Sequence, residues 1–301
     1  MKVLILGAGQ DAYILSYIFF KKYKLKTYIC ARDMSIDKSI MNWANIYPCG
    51  SFTEKNNIEN LFKLILKIKP EFVVNTAALS SSIECNQFPE LVYEINGYFP
   101  IKLIKFLSEN KINLIHFGSI LEKENRPSCT YTNSKLIVSN FLKDFKSESI
   151  IKNLLLPNHE SPLRDERFFV RELITIFKPI INSSNKNSFQ IEILDGLTLR
   201  YWSWAPTLMG SIAKMICSKN FDNNFDLYTT KLNLIQLSAL VARVFDIDKL
   251  SIKCKNSGEY SLENIKLPKI NKSTEAWIKK LFITEYSDRY NLDSWCEDFK
   301  N

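Results

Sequence analysis

Met1-Lys2-Val3-Leu4-Ile5-Leu6-Gly7-Ala8-Gly9-Gln10-Asp11-Ala12 opens the chain, and the reading of this stretch decides the fold. Lys2–Leu6 is an apolar run of strand length, Gly7–Asp11 reads as a turn, and Ala12–Lys22 carries apolar residues at helical spacing. Glycines in such a turn let backbone approach a pyrophosphate, and the helix N-terminus offers free N–H groups and the positive end of its dipole. Ala12 stands where a third glycine often lies, and a small residue is what close helix–strand packing needs. The pattern predicts dinucleotide binding, with Gly7, Gly9, Gln10 and Asp11 at the cofactor.

Working outward, strands and helices alternate. Lys26–Ala31 reads as a strand and Ile58–Ile68 as a helix. The strand Phe72–Asn75 follows Pro70, then come a helix over Pro89–Glu109 and a strand over Asn113–Gly118. A helix over Tyr131–Phe145 and a strand over Ile150–Leu156 complete the series. This order predicts an α/β fold, a Rossmann-like doubly wound parallel sheet that binds its ligand beyond the strand C-termini. After Pro157 the alternation weakens. Phe168–Phe177, Pro206–Ser218, Leu234–Val244 and Thr274–Leu281 look helical, and the segment between the first two is polar and loop-rich. The expected division is a dinucleotide-binding domain over 1–157 and a smaller mixed C-terminal substrate lobe over 158–301, with some segments returning to the first domain.

Composition narrows the class. Of 301 residues 46% are apolar and 24% charged, ordinary for a globular protein with a sizeable core. The net charge of +8 goes with abundant lysine. The basic runs Lys21–Lys26 and Lys279–Lys280 are too short for a nucleic-acid stripe, so no nucleic-acid partner is expected. Seven cysteines, an odd number with no CxxC pair, argue against a disulfide framework and a zinc site. Neither a signal peptide nor a membrane span is evident. The expectation is a cytoplasmic protein with reduced thiols and no metal.

Arg32 follows the second strand, where NAD sites usually carry an acid for the ribose 2′-OH. An arginine there suits a 2′-phosphate, so NADP(H) is favoured. The adjacent Asp33 keeps NAD(H) possible, and a solvated surface arginine is the plain alternative.

Proton transfer to a sugar oxygen during hydride transfer can be served by a tyrosine whose phenolate is stabilised. A lysine one helical turn away provides the positive charge. The spacing Tyr-x-x-x-Lys occurs three times, as Tyr17/Lys21, Tyr98/Lys102 and Tyr131/Lys135. Tyr17 lies mid-helix and reads as packing, and Tyr98 precedes Pro100. Only Tyr131 follows a strand ending in a hydroxyl, His116-Phe117-Gly118-Ser119. Ser119, Tyr131 and Lys135 are therefore the expected catalytic set, the last two also touching cofactor.

These residues resemble the extended short-chain dehydrogenases, and among them the GDP-mannose 4,6-dehydratases and their relatives, over most of the chain. Gly9-Gln10-Asp11-Ala12 is similar to that family's Gly-Gln-Asp-Gly loop. Gly50-Ser51-Phe52-Thr53 sits where the family has Gly-Asp-Leu-Thr, which puts Ser51 at an adenine-contacting position. Asn75-Thr76-Ala77-Ala78 matches Asn-x-Ala-Ala, so Asn75 and Ala77 are implied at the cofactor. Asn158-His159-Glu160-Ser161-Pro162, followed by Arg164, Phe168 and Phe169, resembles the segment lining the nucleotide-sugar site. Arg200-Tyr201-Trp202 resembles the Arg-Asp-Trp whose arginine faces the diphosphate. The resemblance implies a nucleotide-sugar substrate with Ser80, Asn158, Glu160, Arg164 and Arg200 at it. It also implies a homodimer through the Tyr131–Phe145 and Pro89–Glu109 helices. His116 and His159 read as structural.

The chain departs from the dehydratases just past Ser119. There the family carries a glutamate that takes the C5 proton, and this sequence has Ile120-Leu121. Shifting the alignment by one residue offers Glu122 but puts Ile120 at the hydroxyl position. The loop between Ser119 and Tyr131 is also shorter than in the family. Without the glutamate, hydride transfer survives and elimination fails. The expected activity is a C4 ketoreductase acting on a GDP-linked keto sugar. The alternatives are a 4,6-dehydratase, a C4 epimerase or dehydrogenase, and outside enzymology an NADP-binding sensor that turns nothing over.

Overall fold

Val3–Leu6 (β1) and Phe72–Asn75 (β4) are buried at every position, as strands covered on both faces must be. Between them in sequence come Thr27–Ala31 (β2) and Ala44–Pro48 (β3), and after them Asn113–Ser119 (β5) and Ile151–Leu156 (β6). The six run parallel in the order β3-β2-β1-β4-β5-β6. Strand order reverses between β1 and β4, which opens a crevice at their C-terminal ends. The computed structural model describes residues 1–124, 129–183, 189–193, 196–221 and 230–296.

Helices cover the sheet: Gln10–Tyr23 (α1), Lys55–Ile68 (α2), Ser82–Gln87 (α3), Pro89–Tyr93 (α4), Phe99–Glu109 (α5) and Thr130–Asp144 (α6). One face buries Leu4, Leu6 and Leu114 of the strands under Leu61, Ile65, Leu103 and Leu107 of α2 and α5. Stacked rings join α5 to its neighbours, Phe52 on Phe99 at 4.5 Å and Phe62 on Phe106 at 3.9 Å.

Three local readings change. Gly9 is the extended N-cap of α1, so Gln10 and Asp11 sit in the helix's first turn and the glycine turn ends sooner than expected. Ala44–Pro48 forms an edge strand that its short, proline-ended sequence hides. The single helix expected over Pro89–Glu109 is three pieces, α4 and α5 flanking a π turn at Glu94–Tyr98. Pro100 has no N–H for the Asn96 carbonyl, and the ladder widens there. The turn presents Gly97 to α6 so closely that an added Cβ would lie 3.0 Å from Ile137 Cδ1 and 3.2 Å from the Ser134 carbonyl.

The chain forms two compact units. The first comprises Met1–Leu156, Met209–Asn223 and Cys296–Asn301; the second comprises Pro157–Leu208 and Asn224–Trp295. In the second, Asn158–Glu160 (β7), Arg200–Trp204 (β9) and Thr230–Leu232 (β10) form one small sheet. Phe189–Ile193 (β8), Leu250–Cys254 (β11) and Gly258–Ser261 (β12) form another. Helices are Phe169–Ile181 (α7), Ala205–Ser218 (α8, which passes to the first unit at Met209), Leu234–Val244 (α9), Lys272–Ile283 (α10) and Leu292–Trp295 (α11). Trp204 packs against Trp277 at 6.2 Å and Trp295 at 6.0 Å, and Phe282 against Phe177 at 6.2 Å and Phe245 at 6.1 Å. Among the described residues no helix is long and apolar enough to cross a membrane, and no cluster of His, Cys, Asp and Glu could hold a metal ion.

Gly97→Val should overpack the contact between the π turn and α6 and destabilise the first unit by about 1–3 kcal/mol. Denaturant unfolding against wild type measures it, and an unchanged midpoint contradicts the close approach.

Candidate active site

The C-terminal ends of the sheet strands carry the candidate residues of the first unit. Gly7 has φ +101°, and an added Cβ would lie 2.8 Å from Thr76 Oγ1 and 3.1 Å from the Ala77 nitrogen. Only glycine fits that backbone without strain. Gly7 N–H donates to the Cys30 carbonyl at 2.9 Å, and Thr76 donates to the Leu6 carbonyl through N–H (3.0 Å) and Oγ1 (2.8 Å). The loops after β1, β2 and β4 are thus tied side by side. A Cβ at Gly9 would meet nothing within 4 Å, and Gly9 gives α1 no side-chain cap. An open glycine beside an uncapped helix start is the cradle a pyrophosphate needs, and it fits the nicotinamide dinucleotide that the sequence predicts.

Farther along the strand ends, Gly50 N–H donates to the Arg32 carbonyl at 3.0 Å, which holds Ser51 beside the end of β2. Ser51 Oγ is hydrogen-bonded to Thr53 Oγ1 at 2.8 Å. The Arg32 side chain is 80% exposed and meets Asp33 at 3.4 Å. Asp33 accepts from the Ser35 N–H and hydroxyl, and those bonds, with Arg32 beside it, hold its carboxyl below the usual range.

Asn75, implied at the cofactor, ends β4. It is fully buried, its Oδ1 accepts from the Ala77 N–H at 3.2 Å, and its Nδ2 meets His116 Nδ1 at 3.1 Å. It shapes the turn that presents Thr76 and Ala77. Ser80, farther along that loop, is exposed. His116 is buried, and burial together with the Lys135 charge keeps its pKa well below the ordinary value. That makes it a neutral strut, as the sequence suggests.

Ser119 ends β5 and is 6% exposed. Its Oγ accepts from the Leu121 N–H at 3.3 Å, which leaves its hydroxyl hydrogen to be donated elsewhere. Tyr131, half-buried, lies in the first turn of α6. Lys135, one turn on, is 2% exposed and donates to the Phe117 carbonyl at 2.7 Å. Burial pushes Lys135 down to about 8, against the opposing pull of Glu122, Asp11 and Cys85. The other two Tyr-x-x-x-Lys pairs lie elsewhere. Tyr17 is buried against Trp43, with rings 5.5 Å apart, and Tyr98 is exposed while Lys102 pairs with Glu94 at 3.9 Å.

Glu122 has a structural employment. Its carboxylate accepts from the Ser119 N–H at 2.5 Å, from the Ser139 hydroxyl of α6 and from Asn153 Nδ2 of β6 at 3.3 Å. Gly118 makes room, since an added Cβ would lie 2.7 Å from Glu122 Oε1 and 2.5 Å from Asn153 Oδ1. The shifted alignment that offers Glu122 as a C5 base therefore assigns that task to a carboxylate already ligated by three donors. Of the loop to Tyr131, residues 125–128 lie outside the described residues.

Asn96 escaped the sequence reading. In the π turn, buried, it accepts from the Leu79 N–H at 2.9 Å and donates to the Leu79 carbonyl at 2.8 Å and to Ser134 Oγ at 3.2 Å. Ser134 Oγ donates in turn to the Tyr131 carbonyl at 2.7 Å. One amide thus holds both the loop after β4 and the start of α6. The available signal was an Asn-Gly pair four residues before a helix-internal proline.

In the second unit, β7 and β9 pair in parallel with Asn158 opposite Trp202, so Asn158 and Arg200 lie on adjacent strands of one small sheet. His159 Nδ1 meets the Pro157 carbonyl at 2.7 Å. Glu160, expected at the substrate, is 2% exposed and ion-paired with Arg164 at 3.4 Å. The Arg164 guanidinium also lies over the Phe168 ring at 3.6 Å. Glu160 therefore meets Arg164 from inside as a counter-charge.

The Lys135 environment has a stability consequence. A lysine ordinarily titrates near 10.5, and here it does so at about 8. Between those values the unfolded chain holds a proton that the folded chain has released, so stability rises with pH across this window. Relative to Lys135→Met, wild type should gain about 2–3 kcal/mol between about pH 8 and about pH 10.5. Denaturant unfolding of both proteins measures it, and a pH-independent difference contradicts the burial of this cation.

Comparison with known proteins bears on the fold and the family. No curated protein matches the sequence. Among solved structures, ADP-L-glycero-D-manno-heptose-6-epimerase of Helicobacter pylori superposes with a TM-score of 0.69 at 15% identity, covering 93% of this chain and 94% of that one. UDP-glucose 4-epimerase of Thermotoga maritima, with UDP-glucose, gives 0.68 at 14% identity over 100% and 99%. UDP-N-acetylglucosamine 4-epimerase of Methanobrevibacter ruminantium gives 0.63 at 18% identity over 99% and 97%. These likenesses establish the fold. The model of the NAD dependent epimerase/dehydratase family matches residues 49–206, beginning after the glycine loop. With that match spanning more than half of its length, the chain belongs to the NAD-dependent epimerase/dehydratase family.

Proposed function

We propose that the protein is a nucleotide-sugar oxidoreductase acting at sugar C4, and that it reduces a GDP-linked 4-keto sugar. The observation that carries this reading is the pairing of an intact Ser119–Tyr131–Lys135 set with a Glu122 committed to Ser119, Ser139 and Asn153. Leu121 transfers no proton, so loss of water has no base at that position. The nicotinamide, when bound, supplies the hydride. Tyr131 gives its hydroxyl proton to the developing C4 alkoxide, Ser119 donates a hydrogen bond to the same oxygen, and the Lys135 ammonium stabilises the phenolate. Guanine as the base rests on the likeness of Asn158–Pro162 to the GDP-mannose dehydratase segment. C4 epimerisation is the second reading, favoured by the 4-epimerases among the structural neighbours.

For the cofactor we favour NADP(H), because the exposed Arg32 guanidinium at the end of β2 suits a 2′-phosphate. NAD(H) remains the alternative, consistent with the family and with neighbours solved with NAD. A homodimer would pair through the segments Tyr131–Phe145 and Pro89–Glu109, the latter carrying the exposed Leu91 and Tyr98. The odd number of cysteines, with no CxxC pair, suits reduced thiols and a cytoplasmic location.

A GDP-linked 4-keto-6-deoxy sugar should oxidise NADPH stoichiometrically. Tyr131→Phe should abolish that oxidation while binding NADPH normally, as read by cofactor fluorescence. A 4-keto-6-deoxy product from GDP-mannose alone would defeat the reductase reading. Arg32→Ala should weaken NADPH binding about tenfold or more and leave NADH binding nearly unchanged. Equal loss for both cofactors would overturn the NADP(H) reading.

A further inference from the structure

The six strands of the large sheet run parallel, so the helices that lead into β2, β4, β5 and β6 all end at the edge where the strands begin. Gly7 and Ser119 lie at the opposite edge, after β1 and at the end of β5. Among the described residues, four of the five non-glycine residues with positive φ are lysines at the starting edge. Lys24 (φ 56°) and Lys69 (φ 52°) cap α1 and α2, and Lys111 (φ 54°) and Lys219 (φ 53°) follow α5 and α8. A left-handed helix end favours glycine, or else asparagine. Lysine there strains the backbone, and its attraction to the helix dipole offsets only part of that cost. All four are exposed.

Two of them are neutralised and two are not. Lys219 holds Glu71, and Lys111 pairs with Glu148 at 3.1 Å. Lys24, Lys26, Lys67 and Lys69 have no ion pair among the described residues. Lys26 and Lys2 precede β2 and β1 at equivalent positions, since Tyr28 stands opposite Leu4. The Lys2 amine donates to the Ile68 carbonyl at 2.9 Å, between Lys67 and Lys69. Two further acids, Glu109 and Asp144, end α5 and α6 on the β5 and β6 side. Positive charge without a counter-charge therefore gathers at the starts of β2, β1 and β4, which are neighbouring strands about 5 Å apart. Apolar side chains stand out among these cations. Phe20, one turn before Lys24, is 37% exposed, and Leu66, beside Lys67, is 45% exposed.

We infer that this edge of the first unit docks on a membrane surface carrying anionic lipids. The ammonium groups meet the headgroups, while the lysine stems, Phe20 and Leu66 reach the acyl boundary. Attachment of this kind lies on the bilayer and needs no spanning helix. It also leaves the crevice at the far ends of the same strands open to ligand. The segments 1–2, 20–26 and 66–71 contain no arginine, the cation best suited to the phosphates and base edges of nucleic acid.

Vesicle sedimentation of the full chain tests this. Mixed phosphatidylcholine–phosphatidylglycerol vesicles should carry the protein down at low salt and release it at high salt, and pure phosphatidylcholine vesicles should not carry it down. Lys24→Gly combined with Lys69→Gly is the discriminating variant, because it removes two cations while relieving two strained helix ends. Its denaturant midpoint should be no lower than that of wild type, yet it should bind mixed vesicles about tenfold more weakly or worse. Leu66→Ser should also weaken vesicle binding. Lys272→Gln combined with Lys279→Gln, which removes two exposed cations of α10, should bind as wild type does. Undiminished binding in Lys24→Gly/Lys69→Gly overturns the inference, as does an equal loss in Lys272→Gln/Lys279→Gln or equal binding to pure phosphatidylcholine. A short DNA duplex bound as tightly as the mixed vesicles, weakened by Lys24→Gly/Lys69→Gly and indifferent to Leu66→Ser, would make this edge a nucleic-acid surface and overturn it too.

Discussion

Everything at the strand ends depends on one buried cation. Lys135 lies almost wholly inside, its ammonium donating to the Phe117 carbonyl, and burial of an ammonium is costly unless its surroundings are arranged for it. The arrangement explains otherwise unrelated residues. α6 runs close to the π turn, where Gly97 stands opposite Ser134 and Ile137 with no room for a side chain. The Phe117 carbonyl that accepts from the Lys135 ammonium belongs to a strand whose next residue, Gly118, has no side chain, so that Glu122 can lie above it. Fold and the proposed chemistry therefore share one constraint, the positioning of a charge that burial disfavours.

Much of this was legible in the sequence, and the reasons are physical. Fully buried parallel strands leave continuous apolar runs, so Val3–Leu6, Phe72–Asn75 and Asn113–Ser119 announce themselves. Gly7 was legible because its positive φ and close neighbours leave no alternative residue. Tyr131 and Lys135 stood out among three identical spacings only because a hydroxyl-terminated strand precedes them. What stayed hidden is tertiary. Nothing local distinguishes Asn96 as the amide that clamps Leu79 and Ser134, or says that Asn75 turns toward His116. The strands of the second unit are short and half-exposed, and their pairing is set by partners far along the chain.

The second unit shows how a recognisable string can carry two kinds of duty. Asn158 and Arg200 stand on paired strands, as a surface for a polar ligand would require. Glu160, in the same string as Asn158, is ion-paired with Arg164, whose guanidinium also lies 3.6 Å over the Phe168 ring. A fixed arginine loses less freedom on meeting a phosphate than a mobile one does, which is the advantage of orienting it from within. A motif therefore identifies a region more securely than it assigns each of its residues.

The central claim is hydride transfer at C4 without abstraction of the C5 proton. Its most direct test is to run the reaction in deuterated water with 4-deuterated NADPH and a GDP-linked 4-keto sugar, and to locate the label by NMR. The expected product carries the cofactor's deuterium at C4 and no solvent deuterium at C5 or C6. Solvent deuterium at C5 or C6, accompanied by loss of water from a GDP-hexose, would contradict it and return proton abstraction to this site.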